Sequence, residues 1–159
     1  MADKREFEQK FWKAIRSDMT VMVATAGIEP RPLTAQFDGQ RKEIYFFTAK
    51  DTELGEKVTR AKKATLTFAS KGHDLFATVH GTLRPDNDRA VIDRLWNRFV
   101  AAWFEKGKDD PRLLLLRFDP SDAQVWLDAS SIVAGVKMLL GMGDPKEDYK
   151  DKVADISLR

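Results

Sequence analysis

The feature that most constrains this chain is a succession of short β-favouring runs, each closed by a turn signal. TVMVATA at 20–26 is apolar and β-branched, and Gly27 and Pro30 punctuate its end. Leu33–Phe37 reads as extended, AspGly at 38–39 signals a reversal, and IYFFT at 44–48 reads as the returning strand. Ala64–Ala69 and Phe76–Leu83 follow, separated by LysGlyHisAsp at 71–74. LeuLeuLeuLeuArgPhe at 113–118 and AlaGlnValTrpLeu at 123–127 flank a ProSerAsp turn and predict a closing hairpin. Six to seven antiparallel strands with few helices predict a mainly β fold, a β-barrel with flanking helices.

Helical spacing occurs at few places. Phe7, Phe11 and Ile15, with Trp12 beside them, predict an amphipathic helix over 3–18. Thr52 is a capping residue for a short helix carrying Leu54 and Val58. From Asp88 to Phe104 the residues Val91, Ile92, Leu95, Trp96, Phe99, Val100 and Trp103 recur at three and four, as one long helix packed on a core requires. A last apolar segment, Ile132–Leu140, reads as a helix weakened by its glycines. With 159 residues and 43% hydrophobic content, the chain suffices for one core. One domain over 1–140 is expected, followed by a charged, frayed tail over 141–159.

Several function classes are excluded at this level. The chain has no cysteine, so it holds neither disulfides nor thiolate metal sites. The opening MADKREFEQK lacks the apolar run of a signal peptide, and no later run spans a membrane, so cytoplasm is the expected compartment. The 27 basic residues are interleaved with 25 acidic ones, leaving a net charge of +2 without the clustered cations of a nucleic-acid binder. Dinucleotide fingerprint, phosphate loop and nucleophile elbow are all missing. His73 and His80, the only histidines, lack the carboxylate pattern of a zinc enzyme and read as surface or strand residues.

What remains is a cluster at adjacent strand ends: ArgProLeuThrAlaGln at 31–36, TyrPhePheThr at 45–48 and LysAspThrGluLeuGlyGluLys at 50–57. Arg31, Lys50 and Lys57 supply positive charge, and Thr52 offers a hydroxyl and a helix start, a combination suited to a phosphate dianion. Pro32, Leu33 and Phe47 offer apolar packing for a flat ring, with Thr34 and Thr48 as polar handles. In order and spacing these segments, together with AlaTrpPheGluLysGlyLysAspAspPro at 102–111, resemble the general stress protein 26 branch of the pyridoxamine 5'-phosphate oxidase-like flavoproteins.

That resemblance implies an FMN-binding split barrel, with Arg31, Pro32, Leu33 and Thr34 along the flavin ring and ribityl chain and Phe47 and Thr48 beside them. It implies a homodimer with FMN at the subunit interface, where Trp126 or Trp103 would reach the partner's flavin. Where the vitamin-B6 oxidases follow a helix-start serine with two basic residues, this chain has Thr52, Glu53 and Leu54. The phosphate is therefore left to Lys57 or Lys50, and activity on pyridoxamine phosphate is not carried over. A flavin-dependent oxidoreductase fed by a reduced nicotinamide or a small molecule is the expected function. The alternatives are a non-catalytic flavin-binding or sensing module, and a barrel using deazaflavin, or haem through His73 or His80.

Overall fold

The computed structural model describes residues 3–127, 141 and 152–159. Helix α1 (Lys4–Asp18) starts at Asp3, whose carboxylate accepts the Arg5 and Glu6 amides, and ends at Met19 in a left-handed turn (φ 65°). It buries Phe7, Phe11, Trp12 and Ile15 along one face, as their spacing predicts. Strands β1 (Thr20–Thr25) and β2 (Ile28–Thr34) form a hairpin through Ala26 and Gly27, the glycine supplying a φ of 79°. β2 thus starts earlier than the expected Leu33. Pro30 and Pro32 do not end it because β2 is an edge strand with β1 as its only neighbour in the sheet order, and an edge position tolerates a missing donor.

The chain continues through β3 (Gln36–Phe37), β4 (Ile44–Ala49), α2 (Glu53–Lys57), β5 (Lys62–Ala69) and β6 (Leu75–Pro85), then α3 (Arg89–Leu95), α4 (Arg98–Ala101), β7 (Leu113–Leu127) and β8 (Val153–Ser157). All pairings are antiparallel, in the order β2-β1-β5-β6-β7-β4-β3, with β8 added on β7. Curvature follows from connectivity. The two end strands, β2 and β3, are separated only by the fully buried Ala35, so the sheet has to curl until its edges meet. β2 approaches β4 along that seam without pairing with it, which is the split of the barrel.

Inside the curl lie Val21, Val23, Leu66, Val79, Leu83, Leu116, Phe118 and Val125, capped by the apolar face of α1. A second core on the outside of β4 and β7 joins Tyr45, Ala49, Leu113 and Leu115 to Val91, Ile92, Val100 and Phe104. The barrel with flanking helices thus matches the fold class expected from the sequence.

Three expectations change. The predicted closing hairpin is one continuous strand, β7, and ProSerAsp is a bulge within it. His80 pairs with Asp122 and Gly81 with Pro120, leaving Ser121 as the extra residue. The predicted long helix over 88–104 breaks at Trp96 (ψ 131°), because the Asn97 side chain accepts the Phe99 and Val100 amides and starts α4 afresh. The break leaves Phe99 and Trp103 72% and 78% exposed rather than packed on the core. The tail expected to fray over 141–159 contains β8, with Ile156 and Leu158 buried. The predicted helix at Ile132–Leu140 lies outside the described residues.

Candidate functional site

Where β4 ends, the chain turns sharply into α2. Thr52 fixes this corner: its Oγ1 accepts the Gly55 amide at 3.1 Å and donates to the Ala49 carbonyl at 2.7 Å. A hydroxyl has one proton, so the 3.2 Å contact between Thr48 Oγ1 and Thr52 Oγ1 is a donation from Thr48. Gly55 lets the helix lie against the strand end, since a Cβ there would stand 2.1 Å from the Ala49 carbonyl oxygen. The neighbouring loop reinforces the corner. The Lys50 amide donates to the Arg112 carbonyl at 2.8 Å, and Arg112 pairs with Asp51 at 3.0 Å.

Across the seam, the Arg31 guanidinium reaches Glu53 Oε2 at 3.3 Å, while Nζ of Lys57 reaches Glu53 Oε1 at 3.3 Å and donates to the Gly27 carbonyl at 2.8 Å. One carboxylate therefore bridges two cations from different elements. The Lys57 hydrogen bond, followed by that from Arg31, holds the Glu53 carboxyl below the usual carboxylate range. The side chains of Arg31, Glu53 and Lys57 are 26%, 52% and 46% exposed, so these contacts contribute little to stability and leave the group open to an incoming anion.

The structure therefore brings Arg31, Lys57, Thr48 and Thr52 to one end of the seam. The exposed Lys50 makes no side-chain hydrogen bond or ion pair with this group among the described contacts. Alternation along β2 divides the remaining residues. Leu33 pairs with Val21 and packs on the barrel interior, whereas Pro32 and Thr34, opposite Met22 and Thr20, are exposed on the outer face. Phe47 belongs to the second core, edge-on to Trp96 at 6.1 Å. Trp126 lies away from the corner, opposite Phe76 on the outer face of β6 and β7, where Met22, Thr67 and Thr78 border the same groove.

Sequence reasoning missed three participants. Glu53 appeared there only as a departure from a basic pattern, because nothing local shows that it meets Arg31. Met22 and Phe76 sit in apolar strands that read as buried, yet they are 39% and 40% exposed and make the outer face beside Pro32 and Trp126 partly apolar. The histidines are not at the corner. His80 is exposed on β6 with Nδ1 3.5 Å from Thr65 Oγ1, and His73 stacks on Phe76 at 6.2 Å in the turn before it. Among the described residues no group of His, Asp and Glu could hold a metal ion, and no helix is long and apolar enough to cross a membrane.

Comparison with known proteins agrees with this architecture. The family model described as "Pyridoxamine 5'-phosphate oxidase like" matches residues 6–146. General stress protein 26 of Bacillus subtilis (strain 168) is 29% identical over 85 residues, a match covering 52% of this chain and 60% of that protein's own length. Among solved structures, a general stress family protein of Xanthomonas campestris pv. campestris is 52% identical with a TM-score of 0.77, covering 82% of this chain and 93% of that one. The general stress FMN/FAD binding protein of Xanthomonas citri is 50% identical with a TM-score of 0.75, covering 80% of this chain and 92% of the other.

Proposed function

Because the chain belongs to the pyridoxamine 5'-phosphate oxidase-like family, on its general stress protein branch, we propose that it binds FMN and acts as a flavin-dependent oxidoreductase in the cytoplasm. The observation that carries the reading is the joint placement of Arg31 and Lys57, from different elements, at the open seam beside the Thr52 corner. A phosphate dianion suits such a set: a guanidinium fork and an ammonium on rigid strand and helix ends. The 50% identical general stress FMN/FAD binding protein of Xanthomonas citri supports the same reading.

In this reading Arg31 and Lys57 hold the phosphate, Thr52 keeps the corner in shape, and Thr34 and Pro32 border the ribityl chain and ring from the outer face of β2. When bound, the flavin supplies hydride or electron transfer, and the protein contributes orientation and access. The chain forms a homodimer with FMN at the interface, the partly apolar outer face around Met22, Phe76 and Trp126 providing the self-association surface. A reduced nicotinamide or a small molecule serves as electron donor.

Titrating FMN fluorescence with purified protein tests the cofactor: saturating quenching at one FMN per chain is expected, and no quenching by a well-folded protein overturns the reading. A second reading, a flavin-binding module that turns nothing over, is favoured by the contacts of His80 and His73, which are with Thr65 and Phe76 and so leave the corner without a histidine for proton transfer. FMN-dependent oxidation of a reduced nicotinamide excludes that second reading, whereas bound flavin inert to reduced nicotinamides supports it.

A further inference from the structure

We propose that Glu53 is an internal competitor for the flavin phosphate, occupying the Arg31 and Lys57 cations when no ligand is bound and setting how strongly the site prefers a phosphorylated flavin. The inference rests on the assignment of this corner to the phosphate. A carboxylate that bridges a guanidinium from β2 and an ammonium from α2, each at 3.3 Å, sits where an external anion would have to make its own contacts. Both cations are otherwise tied only to backbone carbonyls, Arg31 Nε to Glu29 at 3.3 Å and Lys57 to Gly27 at 2.8 Å, so no other carboxylate shares them among the described ion pairs.

The electrostatics give the sign. With Glu53 ionised, the three side chains carry one net positive charge, and a dianion arriving beside them meets a like charge at contact range. Neutralising that carboxylate leaves two positive charges facing the phosphate. Because Glu53 is half-exposed it can swing into solvent, so ligand binding is weakened rather than blocked. Flavins without a phosphate never compete with it.

FMN and riboflavin are titrated against the wild-type protein and against Glu53→Gln, which keeps the side chain's size and removes its charge. The variant is expected to bind FMN about tenfold more tightly, with riboflavin affinity unchanged within about twofold. FMN affinity that is equal or weaker in the variant overturns the inference, as does an equal gain for both ligands, which would point to a local structural effect. Those results leave the flavin reading intact. If neither protein binds FMN while both retain native circular dichroism, the flavin reading itself fails and the role of Glu53 fails with it.

Discussion

Single side chains at the β4–α2 corner carry most of the functional argument. Arg31 presents a planar fork to the seam and pairs only with Glu53 among the described acids. Arg31→Ala is expected to weaken FMN binding by about 1.5–3 kcal/mol, the value of a charge-assisted hydrogen bond; an unchanged dissociation constant in a fluorescence titration would remove Arg31 from the site. Asp110 works at the same scale but for stability. The Arg112 amide at 2.9 Å, then the Lys106 amide at 3.4 Å, hold its carboxyl below the ordinary value of 3.8. A carboxyl depressed in the folded state contributes stability that is complete above its unfolded pKa and is lost as pH falls through the folded value. Wild-type stability should therefore decline below pH about 4 more steeply than that of Asp110→Asn, as followed by thermal melts across an acid series. The Thr52 cap was legible in the sequence as capping chemistry, because such bonds close within a few residues. The Glu53 bridge was not, since its two partners come from different elements.

At the scale of elements, the bulge in β7 explains both a misreading and a glycine. Before Ser121 the even positions Leu114, Leu116 and Phe118 face the barrel interior; after it the odd positions Ala123 and Val125 do. One extra residue reverses the alternation, and ProSerAsp looks like a reversal of the chain because turn residues serve both purposes. Gly81 on β6 lies opposite the bulge, and a Cβ there would stand 2.4 Å from the Asp119 carbonyl oxygen and 2.6 Å from the Phe118 ring. Gly81→Ala should destabilise the protein by about 1–3 kcal/mol, seen as a lower denaturant midpoint with an unchanged slope. The helix expected over 88–104 failed for a related reason. Its period of three and four is real, but Asn97 offers the backbone a competing acceptor and resets the phase, so Val100 and Phe104 are buried while Phe99 and Trp103 emerge.

The molecule as a whole is held by a sheet whose ends are neighbours in sequence and whose long strand β7 is shared by β6, β4 and β8. β8 and the residue that follows it add Ile156 and Leu158 to the core, although the tail reads as solvated charge. Leu158→Ala is expected to cost about 2–5 kcal/mol. A loss below about 0.5 kcal/mol, measured by chemical denaturation, would mean that the tail is dispensable.

The sequence alone determined the elements set by local rules: α1, the short strands, the capped corner and the turn residues, together with a segment order that resembles one flavoprotein branch. Side-chain period, capping and turn chemistry act over a few residues and are written in the chain itself. Only the tertiary structure decided how the halves of β7 are phased, that Met22 and Phe76 face outward, that the tail returns as a strand, and that Glu53 stands between two cations. Arg31 and Glu53 are 22 positions apart and Lys57 and Gly27 are 30 apart. Contacts at such separations exist because the curled sheet brings its edges together, and no local pattern encodes that closure.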